Sequence, residues 1–294
     1  MKISDLEPTF KRYALLEKGL MAKTYRSICG TLRMLCDFAQ TEKMRDLGQD
    51  LVRGFLQQGR AERAWKPRTF RNHWVYLKIY FDWCVRSGHL RRNPVVGIEK
   101  PKLEKGLPRC ISSEEAREIR SHTASYPWKY RLERCRNLAI VSMLLMSGLR
   151  LQELLNLEVA DVNLASGDIL VREGKGRKDR IVPIHPRLAP LLRDYRREKG
   201  TGRESRWFFT GIRSGKQLAQ KDVRTICKKV SAVSGVKFTP HVLRHTFARE
   251  VIDHDFNLYK LKEIMGHADI TTTQRYLALS RQGIKRSFEQ VKIF

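Results

Sequence analysis

Acidic residues are scarce in this chain: 31 Asp and Glu stand against 58 Lys and Arg among 294 residues, a formal net charge of +27. Such an excess adds little to fold stability, because like charges repel, and it is read as attraction to a polyanion. The six cysteines, Cys29, Cys36, Cys84, Cys110, Cys135 and Cys227, form no C-x-x-C pair and no zinc-ligand spacing, which argues against a zinc module or a disulfide framework. They read as reduced thiols of a cytoplasmic protein. No apolar run approaches the length of a membrane span. The opening Met1-Lys2-Ile3-Ser4-Asp5 is polar, unlike a secretory signal. No membrane partner is therefore expected.

What is present is enough apolar material for real cores, 41% of residues, so the chain is globular rather than disordered. The positive charge is spread along its length. Residues 1–100 carry 20 basic and 10 acidic side chains, and the remainder carries 38 and 21. A neutral enzyme with a basic tail would not look like this. Two bodies that both face an anionic ligand would.

The hydrophobic period predicts helices over Lys23–Ala39 and about Thr69–Ser87, the second stopping at Gly88 before the turn signal Asn93-Pro94. Residues 97–111 hold Pro101, Gly106 and Pro108 among Lys100, Lys102, Lys105 and Arg109, the composition of an extended linker. Three segments follow from this: a helical domain over 1–96, the linker 97–111, and a second domain over 112–294. The second domain opens at Ser112 or Ser113, with Glu114-Glu115 in a first helical turn. An apolar helix is expected over Asn137–Met146, broken at Gly148, and another over Leu149–Leu157. The period then changes to two short strands, 167–172 and 180–184, flanking a hairpin tip, before helices return. The fold class is mainly α with a small β-sheet.

Four short segments carry the chemistry: Ser147-Gly148-Leu149-Arg150, Gly174-Lys175-Gly176-Arg177-Lys178, Thr239-Pro240-His241-Val242-Leu243-Arg244, and Met265-Gly266-His267 with Tyr276 nine residues on. His241 and Arg244 are three apart, so they share one face of a helix. Thr239 is a good N-cap and Pro240 a good first helical residue. Two arginines can hold a phosphate bidentately without losing charge. Each residue has an ordinary alternative. Arg150 could simply pair with Glu153, or Glu153 could orient it. Tyr276 alone would be a core or surface tyrosine. His241 and His245 are four apart, yet Val242 stands where a zincin needs Glu, so no metal site is expected and His245 is read as structural. Gly174-Lys175 is no nucleotide-binding loop, because neither Ser nor Thr follows the lysine.

At these residues the sequence resembles the tyrosine recombinase, or phage-integrase, family, its Xer and integrase branches in particular. The family order is Arg, hairpin Lys, His-x-x-Arg, Gly-His, Tyr, which here gives Arg150, Lys175, His241, Arg244, His267 and Tyr276. The resemblance covers nearly the whole chain. Tyr80-Phe81-Asp82-Trp83 with Asn93-Pro94 is similar to the end of the family's N-terminal DNA-binding domain. It implies two domains closing around duplex DNA as a clamp, and strand breakage and rejoining through a 3′-phosphotyrosine, with Tyr276 as nucleophile and Lys175 as proton donor. It implies no cofactor, since bond energy is kept in the ester. It also implies four protomers, like or unlike, on two DNA sites, with a C-terminal stripe of Ile284, Phe288 and Val291 available for exchange between neighbours. Two rivals are weighed beside it. A type IB topoisomerase would share the chemistry, and an accessory DNA-binding protein would lack a complete hexad. Val242, Met265 and Asp253-His254-Asp255 depart from the family pattern without touching the six.

Overall fold

Helices bearing apolar side chains on one face build the first part of the chain. The computed structural model describes residues 1–103, 106–172, 179–200 and 205–279. Lys175 and the tail residues Ile284, Phe288 and Val291 lie outside the described residues. The chain divides into two units, Met1–Lys105 and Gly106–Phe294.

The first unit contains α1 (Ile3–Arg12), which runs on into a π-helical turn at Tyr13–Glu17, then α2 (Ala22–Ala39), α3 (Gln49–Ala61) and α4 (Pro67–Arg86). Pro67 begins α4 where its missing N–H costs nothing. The α4 face Trp74, Leu77, Tyr80, Phe81 and Cys84 packs with Ile28, Leu32 and Leu35 of α2 and Phe55 of α3. Phe10 meets Tyr80 edge-on, with centroids 4.9 Å apart. The unit's core extends past the helices to Val95 and Ile98, and the Trp74 indole donates to the Ile98 carbonyl at 2.9 Å.

The second unit begins with α5 (Ser113–Ser125). Ser112 caps it by accepting from the Glu115 N–H, and Glu115 closes the box by accepting from the Ser112 N–H at 2.7 Å. Next come α6 (Arg131–Ser147) and α7 (Leu151–Asn156). The sheet is antiparallel, in the order β1 (Val162–Asn163), β2 (Asp168–Val171), β3 (Arg180–Pro183). Ile169 of β2 lies opposite Val162 and Val182, which fixes the buried face. The helices that follow are α8 (Ala189–Lys199), α9 (Gln220–Ser234), α10 (Pro240–Asp253), α11 (Leu258–Met265) and α12 (Ile270–Gln274). Buried α6 is the centre of the unit, packed against α5, α8 and α10. It begins six residues before the apolar run that predicts it, because Arg131–Arg136 form a polar first turn and a half. A small separate cluster, Ala248, Ile252, Leu261, Met265 and Tyr276, lies between α10, α11 and the segment after α12.

The candidate active site

The site is assembled at the ends of helices. Residue Gly148 ends α6 in the left-handed region at φ 62°. A Cβ there would come within 2.5 Å of the Phe247 ring, so a side chain is excluded by both backbone and neighbour. The turn delivers Arg150 to the start of α7, where its backbone N–H donates to Glu153 Oε2 at 2.8 Å. The guanidinium donates from Nη1 to Glu153 Oε1 at 2.6 Å and from Nη2 to the Gly266 carbonyl at 2.7 Å.

Helix α10 contributes the next pair. Thr239 caps it, its hydroxyl accepting from the Val242 N–H. Arg244 is buried at 3% exposure. It donates to the carbonyls of Gly148 and Met265, and to His267 Nε2 at 3.0 Å. His241, one turn earlier, stands at the solvent edge with its ring 4.4 Å from that of His245.

His267 follows the left-handed Gly266 that ends α11. A guanidinium only donates, so His267 Nε2 is the acceptor. Its proton therefore sits on Nδ1, which donates to Thr273 Oγ1 at 2.8 Å. Burial, reinforced by Arg244 and Arg150, pulls this histidine down to about 3. His241 is lowered by the same causes. Burial and the neighbouring His241 lower His245 to about 4. Near neutral pH these three imidazoles are uncharged.

Residue Tyr276 is buried at 2% exposure, its ring nearly parallel to that of His267 at 6.4 Å between centroids. Its hydroxyl is 2.6 Å from His245 Nδ1. Burial raises the phenol above its ordinary value, although Arg244 opposes this. Of the six residues named from sequence, the structure thus brings Arg150, Arg244 and His267 into one hydrogen-bonded group, with Tyr276 stacked beside His267 and His241 joined to Tyr276 through its edge-on contact with His245. Lys175 lies outside the described residues. His245 is a direct partner of the Tyr276 hydroxyl. Only its position one turn beyond His241 could have hinted at this.

A further pair escaped sequence reasoning in part. Arg180, the first residue of β3, grips Glu153 with both ends of its fork, at 3.1 and 2.8 Å. Glu153 also lies 3.9 Å from Arg244. Burial would raise the Glu153 carboxyl, but Arg180 and Arg150 outweigh it and hold the group at about 2. One carboxylate thus sits among three guanidiniums and neutral histidines, leaving a local excess of positive charge suited to an anion such as a phosphodiester. Among the described residues, no group of acidic, cysteine and histidine side chains could hold a metal.

The family model described as the phage integrase family matches residues 109–282. The chain belongs to the phage integrase family. This family member is 28% identical to the tyrosine recombinase XerD of Listeria monocytogenes over 98% of both chains. It is 29% identical to the tyrosine recombinase XerC of Roseiflexus castenholzii, over 93% of this chain and 88% of the relative. Its fold is that of the XerH site-specific recombinase bound to a palindromic difH substrate: the TM-score is 0.75 at 17% identity, covering 97% of this chain and 84% of that one. A lambda integrase dimer bound to a core site matches with a TM-score of 0.73 at 16% identity, over 92% and 97% of the two chains. At these identities the structural likeness concerns the fold. The mainly helical architecture with a small sheet is shared with these recombinases.

Proposed function

We propose that this phage integrase family member is a Xer-like site-specific DNA recombinase that cuts and rejoins duplex DNA through a 3′-phosphotyrosine. The observation that carries the reading is the convergence of Arg150 with Arg244, His267 and Tyr276, which follow it in the chain only after the whole of the sheet and helices α8 and α9. The family match and the names of relatives along nearly the full chain favour strand exchange over topoisomerase action or a non-catalytic accessory role.

In this mechanism Arg150 and Arg244 hold the non-bridging oxygens of the scissile phosphate, and their charge stabilises the pentacovalent transition state. Neutral His267 keeps Arg244 aimed, and His241 lies at the solvent edge where the phosphate enters. Tyr276 Oη attacks phosphorus, the P–Oη bond forms and the P–O5′ bond breaks. The departing 5′ oxygen takes its proton from Lys175, and the phenolic proton passes to a neutral imidazole of the site. Rejoining reverses each step. The excess of Lys and Arg in both parts of the chain supports duplex binding by both units, of which residues 1–96 form the DNA-binding domain and 112–294 the catalytic domain. The protein works in the cytoplasm as a tetramer, of like or related protomers, on two sites.

The test is covalent capture. Full-length protein is incubated with a library of randomised duplexes, stopped with detergent, and the protein-linked DNA is sequenced. The expected result is an adduct at a defined sequence, joined to Tyr276 through a 3′ phosphate. Tyr276→Phe keeps the ring and should bind the selected site without forming the adduct. No adduct with the natural protein, or an adduct with the Phe variant, would overturn the assignment.

A further inference from the structure

We infer that Arg180 is a positioning residue of this site, one that sets the aim of Arg150 and the seat of His267 without itself touching DNA. The inference rests on the recombinase reading above. Three observations carry it. First, the fork of Arg180 is filled by two elements: Nη1 and Nη2 donate to the two oxygens of Glu153 on α7, and Nε donates to the Ile264 carbonyl near the end of α11 at 2.8 Å. Second, the Glu153 oxygen that takes Arg180 Nη1 also takes Arg150 Nη1. Fixing that carboxylate therefore fixes Arg150. Third, the turn that presents His267 rests directly on the same guanidinium, since a Cβ on Gly266 would lie 2.8 Å from Arg180 Nη1. The side chain is only 11% exposed. A lysine at this position supplies the charge but cannot span Glu153 and Ile264 together.

The geometry makes a distinctive demand. If Arg180 acts through Arg150, its loss should matter in proportion to the charge on the scissile phosphate. A neutral methylphosphonate at that position removes the charge that Arg150 stabilises. Full-length Arg180→Lys is compared with natural protein on a nicked suicide duplex built on the captured site, with either phosphate or methylphosphonate at the scissile position. The expected result is a variant with an unchanged circular dichroism spectrum and DNA affinity within about 2-fold. A misplacement of this kind should slow cleavage of the phosphate by about 100-fold and of the methylphosphonate by less than about 5-fold. Arg150→Ala with Arg180→Lys should be slowed far less than the two single losses combined, because with Arg150 gone Arg180 has only the seat of His267 left to support. Equal losses on the two substrates, additive losses in the double variant, or cleavage at the natural rate would each overturn the inference while leaving the recombinase reading intact. No adduct with natural protein would overturn both. Should Arg180→Lys fail to fold, Arg180→Gln, whose shorter amide likewise cannot span Glu153 and Ile264 together, is expected to show the same substrate dependence. If neither variant folds, Arg180 is a stability residue and the inference is lost.

Discussion

Replacing Glu153 by Gln removes one negative charge from among Arg150, Arg180 and Arg244 while nearly preserving shape. The carboxyl is held at about 2 against an ordinary 4.5, and its side chain is 9% exposed, so solvent screens it little. A depression of that size corresponds to about 3 kcal/mol of stability at neutral pH. This agrees with the roughly 3–5 kcal/mol lost when a buried pair is broken from one side. At a urea dependence of about 2–3 kcal/mol per M, the midpoint of the unfolding transition should fall by about 1 M at pH 7. The sign with pH follows from the direction of the shift. A depressed carboxyl contributes stability that is complete above its unfolded value and is lost as pH falls through its folded one. The gap between natural protein and Glu153→Gln should therefore be constant above about pH 5 and close between pH 4.5 and 2. Urea titrations of both proteins across this range measure it. A midpoint shift below about 0.3 M at pH 7, or a gap that persists undiminished at pH 2.5, would refute the view that this carboxylate holds the arginines together.

The lowered histidines give a second pH signature. His245 and His267 are held at about 4 and about 3, so the unfolded chain binds protons that the folded one refuses as pH drops below about 6.5. After allowance for partial exposure of the rings, the protein should be about 2 kcal/mol less stable at pH 5 than at pH 7, and His267→Gln should remove about half of that difference in thermal melts. Lys175→Ala should reduce cleavage by at least about 100-fold with little change in DNA affinity. A 5′-bridging phosphorothiolate, whose sulfur leaves with little need of a proton, should restore most of the rate, and no rescue would move the proton donor to Lys178. Deleting Ile284–Phe294 should leave single-site binding nearly intact and impair the pairing of two sites in gel shifts. Loss of the folded state by circular dichroism would instead make this stripe part of its own domain's core.

How much of this was legible in the chain differs residue by residue. The sequence alone determined the helical periods of α2 and α4, the Thr239-Pro240 start of α10 and the break at Gly148, because capping chemistry and apolar spacing are local. It also determined the order of Arg150, His241, Arg244, His267 and Tyr276, since residue type and spacing are all that such a pattern needs. Lys175 was named in the same way and lies outside the described residues, whereas the strands on either side of its segment, β2 and β3, were legible from their change of period. Strand β1 was not, because two residues carry no period and are defined only by pairing with β2. Nor was the reach of the first unit's core to Ile98, which depends on Trp74 donating across 24 residues of chain. Tertiary structure decided that Arg180 belongs with Glu153, that His245 meets the Tyr276 hydroxyl, and that Tyr276 lies buried among Ala248, Ile252, Leu261 and Met265. These contacts join elements far apart in sequence. A guanidinium chooses its carboxylate by the packing that brings them together, and nothing in the spacing of residues along the chain encodes that choice.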